Sequence, residues 1–272
     1  MAELELLTSG WGLIEGPRVD ADDNFYFSDV PNGGVRRRRP DGDIEVVIPK
    51  RRGVGGMVFH ADGGLVVGGR NIQHVNDGEI RVLFDPGLAG FNDLHTDAAG
   101  RIYVGSLGGS PFADTPPEPG RLFRLELDGS ATEIYDEVRL TNGIGFSPDG
   151  SRLYHSDSIP GRVWASDVHG DEVTGRRAFV EERAVPDGLA VDVEGGVWVA
   201  LAEGGRVQRY TPDGEPDVAV EIPDPMVTSV CFGGADMADM YIVTGGGDPD
   251  LGGCVYRTRA PVAGVPTPLA RV

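Results

Sequence analysis

Short apolar stretches alternate with polar positions along the whole chain, and each is closed by a turn rich in Asp and Gly. An apolar strand, such a turn and a second alternating strand recur as Val19 to Asp29, Phe59 to Gly69, Thr96 to Ser106, Phe146 to Asp157, Val191 to Leu201 and Phe232 to Thr244. The second strands, among them Arg101-Ile102-Tyr103-Val104-Gly105 and Gly196-Val197-Trp198-Val199-Ala200, carry the β-branched and aromatic residues that suit a pleated, half-buried surface. A further turn series falls between these units at Asp41-Gly42, Asp77-Gly78, Asp128-Gly129, Gly170-Asp171 and Asp213-Gly214. Glycine accepts positive φ there without steric cost, so each marks a tight hairpin. Two hairpins per unit predict a four-stranded antiparallel sheet. Six such units predict an all-β fold, a six-bladed β-propeller in which each blade buries its faces against its neighbours. No linker interrupts the series, so residues 1–272 read as a single propeller domain, with Leu4-Glu5-Leu6-Leu7 expected to complete the last blade. A β-sandwich also has short strands, but it does not explain two interleaved turn series.

Composition narrows the partners. The 272 residues include 42 Gly and 20 Pro, which suits many short strands joined by turns. With 43 acidic against 24 basic residues, the formal net charge of −19 repels phosphate backbones and anionic membrane surfaces. Nucleic acid and membrane are therefore not expected partners. Cys231 and Cys254 form neither a disulfide framework nor a zinc spacing and read as two buried thiols. With no basic, apolar leader at the N-terminus and no long apolar run, the expected location is the cytoplasm. The oligomeric state is not readable from the sequence.

Aligning the six units exposes one position, four residues before the apolar residue that opens each core strand. It holds, in order, Glu15, Gly55, Asn92, Asn142, Asp187 and Thr228. The innermost strand of every blade runs along the propeller axis, so these residues are expected at the start of each inner strand, as a ring around one end of the central channel. Four of the six carry carboxylate or amide oxygens, the donors that hard divalent cations prefer. Asn and Asp also serve as turn residues, but that does not account for Glu15 or for the shared register. The ring reads as a site for one divalent metal ion on Glu15, Asn142, Asp187 and Asn92, with Ca²⁺ first and Mg²⁺, Mn²⁺ or Zn²⁺ as alternatives.

Several segments carry a resemblance to a known family. They are Ile14-Glu15-Gly16-Pro17, Phe91-Asn92-Asp93, Thr141-Asn142-Gly143-Ile144-Gly145-Phe146-Ser147-Pro148-Asp149-Gly150, Pro186-Asp187-Gly188-Leu189-Ala190 and Ser229-Val230-Cys231-Phe232-Gly233-Gly234. Together they resemble the SMP-30/gluconolactonase/regucalcin-like proteins, with a more distant likeness to the phosphotriesterase of the diisopropyl-fluorophosphatase type. The resemblance implies that Glu15, Asn142 and Asp187 bind metal and that Asn92 either joins them or holds substrate. It also implies a lactonase, with a sugar-acid lactone such as gluconolactone as substrate. Sugar lactonases of this kind tend to carry Arg two residues before the Asn at position 92 and an acidic residue in the following loop. Here Gly90 and Gly108-Gly109-Ser110 stand in those places.

A divalent ion on a carbonyl oxygen stabilises the oxyanion that forms when water attacks, which is what lactone or ester hydrolysis requires. Asp187 is the expected general base. Asn92, Asp93, Arg70 and Glu203 are expected to meet the substrate, a small lactone or ester, with Asp248 a weaker candidate in a corresponding loop. The long loop from Gly108 to Gly120 is expected to wall the pocket. His95 and His155 lie on inner strands and are read as packed rather than catalytic. Phosphotriester hydrolysis, or a metal-stabilised scaffold without catalysis, remain the alternative functions.

Overall fold

A computed structural model describes residues 3–110 and 118–272. Six four-stranded antiparallel sheets form the blades. Blade 1 comprises Ile14–Val19, Phe25–Asp29, Val35–Arg38 and Ile44–Ile48. Blade 2 comprises Met57–Phe59, Leu65–Val67, Ile72–Asn76 and Glu79–Phe84. Blade 3 comprises Gly90–Thr96, Ile102–Leu107, Gly120–Leu125 and Ala131–Val138. Blade 4 comprises Thr141–Phe146, Arg152–Asp157, Arg162–His169 and Glu172–Glu181. Blade 5 comprises Val185–Val191, Val197–Ala202, Arg206–Tyr210 and Pro216–Glu221. Blade 6 takes Val227–Gly233, Asp239–Thr244 and Gly253–Arg259 from the end of the chain and its outermost strand, Glu5–Trp11, from the beginning. That pairing, which carries Leu6 opposite Tyr256, closes the ring as the N-terminal apolar segment predicts.

The inner strand of each blade packs against the inner strands of the blades on either side, through all six neighbours and back to the first. Among the described residues six apolar clusters fill the six gaps between blades. Met57, Leu65 and Val67 meet Tyr26 and Val35 between blades 1 and 2, and Trp198 and Val207 meet Val230 and Ile242 between blades 5 and 6. Alternation explains this: both faces of a blade are buried, so both sets of alternate side chains must be apolar on the inner strands.

The Asp residues of the inner turns have a local role. Asp20, Asp97 and Asp192 each use Oδ1 to accept backbone N–H groups two and four residues ahead, at 2.8–3.0 Å. Much of the acidic character at that end of the molecule thus fixes turns. Among the described residues no helix is long and apolar enough to cross a membrane.

Candidate metal centre

Sequence reasoning places the ring residues ahead of the inner strands; the structure places all of them except Gly55 within those strands, at or beside β-bulges. Pairing runs Phe91 with Ser106 and then Leu94 with Val104, so Asn92 and Asp93 together face one residue of the partner strand. The same two-against-one step occurs at Asn142-Gly143 and at Asp187-Gly188. In blade 1 it falls just after Glu15, at Gly16-Pro17. A bulge bends its strand and re-aims a side chain without ending the ladder. Repeated at one register, it turns successive side chains toward the axis.

The result is a cavity of about 700 Å³ at one end of the channel, lined by Glu15, Asn92, Asn142 and Asp187 together. The two amides are locked. Asn92 Nδ2 donates to Asn142 Oδ1 at 2.5 Å and to the carbonyl of Thr141 at 2.8 Å. Asn142 Nδ2 donates to Ser158 Oγ at 2.8 Å, and Ser158 Oγ donates to the carbonyl of Pro186 at 2.7 Å. The other two ring positions supply no donor. Gly55 leaves room for Asn92, whose Oδ1 lies where a Cβ on Gly55 would fall. Thr228 spends its hydroxyl on the carbonyl of Ile14 at 2.6 Å, tying blade 6 to blade 1.

The carboxylates are held under electrostatic stress. Burial raises the pKa of Glu15 well above the ordinary range, and the neighbouring charges of Asp187 and Asp93 push it further. Asp187 is raised by burial and then by Asp93, against a hydrogen bond from the backbone of Gly188. Among the described residues Asp187 Oδ1 is a buried oxygen with no hydrogen-bond partner. Two buried, mutually repelling carboxylates, one with an orphaned oxygen, beside two oriented amides are the donor set that a hard divalent cation would satisfy. Only two of the four donors are carboxylates, and among the described residues no group of three or more His, Cys, Asp or Glu is placed to hold an ion.

The remaining expected residues divide. Arg70 and Glu203 line the same cavity and are exposed. Asp93 is not among the cavity's lining. Its Oδ1 accepts the N–H of Leu94 at 2.7 Å, its carboxylate also bonds the backbone of Ile144 in the next blade, and burial lifts its pKa to about 6 against the pull of Arg18. Asp248 caps its own loop by accepting the N–H of Asp250 at 2.9 Å. In the loop from Gly108 to Gly120, residues 111–117 lie outside the described residues. His95 sits on the inner strand of blade 3, and burial lowers its pKa to about 3. His155 is on the second strand of blade 4, not on the axis, and bonds Tyr135 Oη and Thr141 Oγ1. Sequence reasoning missed Ser158 and Arg18. Ser158 follows the second strand of blade 4 at a place that Val30, Leu107 and Ala202 fill with apolar side chains in other blades, so no repeated polar residue marks it. Arg18 hides in the Val19 strand start, yet donates to the carbonyls of Pro17 and Leu94 and so crosses the channel beneath the site.

Fold and donor set together define a six-bladed propeller with an oxygen-lined site at one end of its axis. The chain belongs to the family described as SMP-30/Gluconolactonase/LRE-like region, whose profile matches residues 13–246. It is 34% identical over 251 residues to a pentonolactonase of Haloferax volcanii, covering 88% of this chain and 83% of that one. It is 31% identical over 267 residues to a 6-deoxy-6-sulfogluconolactonase of Pseudomonas putida, covering 90% of each. The solved structure of a gluconolactonase from Xanthomonas campestris superposes with a TM-score of 0.82 at 26% identity, covering 96% of this chain and 90% of that one.

Proposed function

We propose that the protein is a divalent-metal-dependent lactonase, with the ion held by Glu15, Asn142 and Asp187 and with Asn92 as the remaining oxygen donor. The observation that carries this reading is Asp187 Oδ1, a buried carboxylate oxygen without a hydrogen bond in a cavity that also contains Glu15 and the two locked amides. The names of relatives that share most of the chain, a pentonolactonase and a 6-deoxy-6-sulfogluconolactonase, support lactone hydrolysis. When bound, the ion supplies Lewis acidity toward the lactone carbonyl. Glu15 and Asp187 would bring two negative charges that match a divalent cation, and the amides of Asn92 and Asn142 would add oxygen donors without further charge. Asp187 removes a proton from water as the water oxygen bonds to the carbonyl carbon. It returns that proton to the ring oxygen as the C–O bond breaks, giving the open hydroxy acid. The free, buried thiols of Cys231 and Cys254 support a reducing, cytoplasmic setting.

Elemental analysis of the purified protein, followed by lactone assays before and after EDTA and after adding back Ca²⁺, Mg²⁺, Mn²⁺ or Zn²⁺, tests the reading. Chelation is expected to abolish hydrolysis and one ion to restore it. Asp187→Asn is expected to lower kcat by a factor of about 10² or more. Hydrolysis that survives both treatments would refute the mechanism, and loss of stability on chelation with no hydrolysis of any lactone would favour a scaffold.

A further inference from the structure

The residue two places before each ring position also lines the cavity, from the inner strand itself at Gly90 and Val185 and from the segment leading into it in the other four blades. Those residues are Leu13, Gly53, Gly90, Leu140, Val185 and Met226, and all six line the cavity. Every blade thus contributes one member to a second tier, and the tier consists of four apolar side chains and two glycines. It contains no charge, hydroxyl or amide side chain. We propose that this collar makes the pocket selective for lactones bearing an alkyl or aryl substituent rather than for polyhydroxylated sugar lactones. The inference rests on the lactonase reading and departs from the gluconolactone expected by resemblance.

The physical reason is the difference in desolvation. A substrate whose carbonyl reaches the ligand ring must pass its substituents through the collar. An alkyl or aryl group there removes apolar surface from water on both sides of the contact. Among the described residues, a sugar hydroxyl at the same height gives up its water and meets hydrocarbon or the bare backbone of Gly53 and Gly90, so no collar side chain replaces its lost hydrogen bond. The polar side chains that line the cavity among the described residues, apart from the proposed ligands and Ser158, are Arg70, Ser110 and Glu203, and all three are exposed. They stand where water competes for them. Ser158 is already engaged by Asn142 and Pro186.

The test uses the full chain loaded with the ion that elemental analysis identifies. Rates on γ-nonanoic lactone and dihydrocoumarin are compared with those on gluconolactone, and kcat/KM is expected to favour the first two by at least about tenfold. A readout independent of turnover is calorimetry on the metal-free protein, where the alkyl lactone is expected to bind with a negative heat-capacity change and gluconolactone to give no heat of binding. Leu140→Asn and Val185→Asn are each expected to lower kcat/KM for the alkyl lactone about tenfold while leaving metal affinity unchanged. Preferential turnover of gluconolactone would overturn the inference and leave the lactonase reading standing. Binding of the alkyl lactone to protein that hydrolyses no lactone would remove the lactonase reading and leave the pocket's preference in place.

Discussion

At the residue following each proposed ligand, the chain abuts the backbone of the next blade. A Cβ on Gly143 would lie 2.8 Å from the carbonyl oxygen of Asp187, and one on Gly188 would lie 2.8 Å from Ser229 Cα. These are backbone obstacles, so the ligand-glycine pairs reflect packing between blades as well as the bulge itself. Gly188→Ala is therefore expected to destabilise the protein by about 1–3 kcal/mol, seen as a lower Tm. Asp93 is the exception at this position, because its carboxylate reaches the next blade and bonds the backbone of Ile144. Ser158 illustrates a different constraint. It anchors Asn142 to the carbonyl of Pro186, and Ser158→Ala is expected to weaken metal binding roughly tenfold by freeing that amide. Calorimetric titration with the restored ion would check it. Glu15, Asn92, Asn142 and Asp187 are legible as a set in the sequence because they share one register of the repeat. Ser158 is not, because its place after the second strand holds apolar Val30, Leu107 and Ala202 in blades 1, 3 and 5, so the repeat carries no polar signal there.

The strand carries the next level of control. Asn92, Asn142 and Asp187 sit inside pairing strands, where sequence patterning predicts the end of a loop, because one extra residue per strand is absorbed as a bulge while the ladder continues on either side. Hydrophobic alternation reports which segments are strands but does not report a one-residue irregularity within them. Strand-to-strand packing also governs the pH dependence of stability. His155, on the second strand of blade 4, lies between Tyr135 of blade 3 and Thr141, and burial lowers its pKa to about 3. In the unfolded chain the same group takes up its proton near the ordinary value of about 6.5. Its contribution to stability is thus fully present above that value and is lost as pH falls toward 3, by up to about 1.4 kcal/mol per pH unit. His155→Gln is expected to make the stability curve less steep by about one proton between pH 6 and 4. Denaturant titrations of both proteins at several pH values would show it, and equal slopes would contradict the assignment.

For the molecule as a whole, two closures hold the ring. One is the N-terminal strand Glu5–Trp11 completing blade 6. The other is the segment 264–272, which runs under the opposite end of the channel and bonds to blades 2, 3, 5 and 6, the last through Gly264 N–H to the carbonyl of Met237 at 2.8 Å. Val265 N–H donates to the carbonyl of Val191 in blade 5 at 2.8 Å, and Arg271 N–H to that of Gly100 beside blade 3 at 2.9 Å. Arg81 and His60 of blade 2 engage the carbonyl of Val272 at 2.8 and 3.1 Å. Removing 264–272 deletes the buried side chains of Ala270 and Val272 and uncovers Val58, Val66 and Leu94 of the cluster they pack in, and is expected to cost about 2–4 kcal/mol, measurable by chemical denaturation.

The linear order of apolar, polar and turn residues was sufficient to set six repeating blades, the closing role of the N-terminus and the common register of four oxygen donors. These are properties of period, and period is carried by each segment locally. Bulge positions, the burial that strains Glu15 and Asp187, the Ser158 anchor, the inward turn of Asp93 and the course of the last nine residues were settled only when the blades packed, because each depends on the distance between residues far apart in the chain.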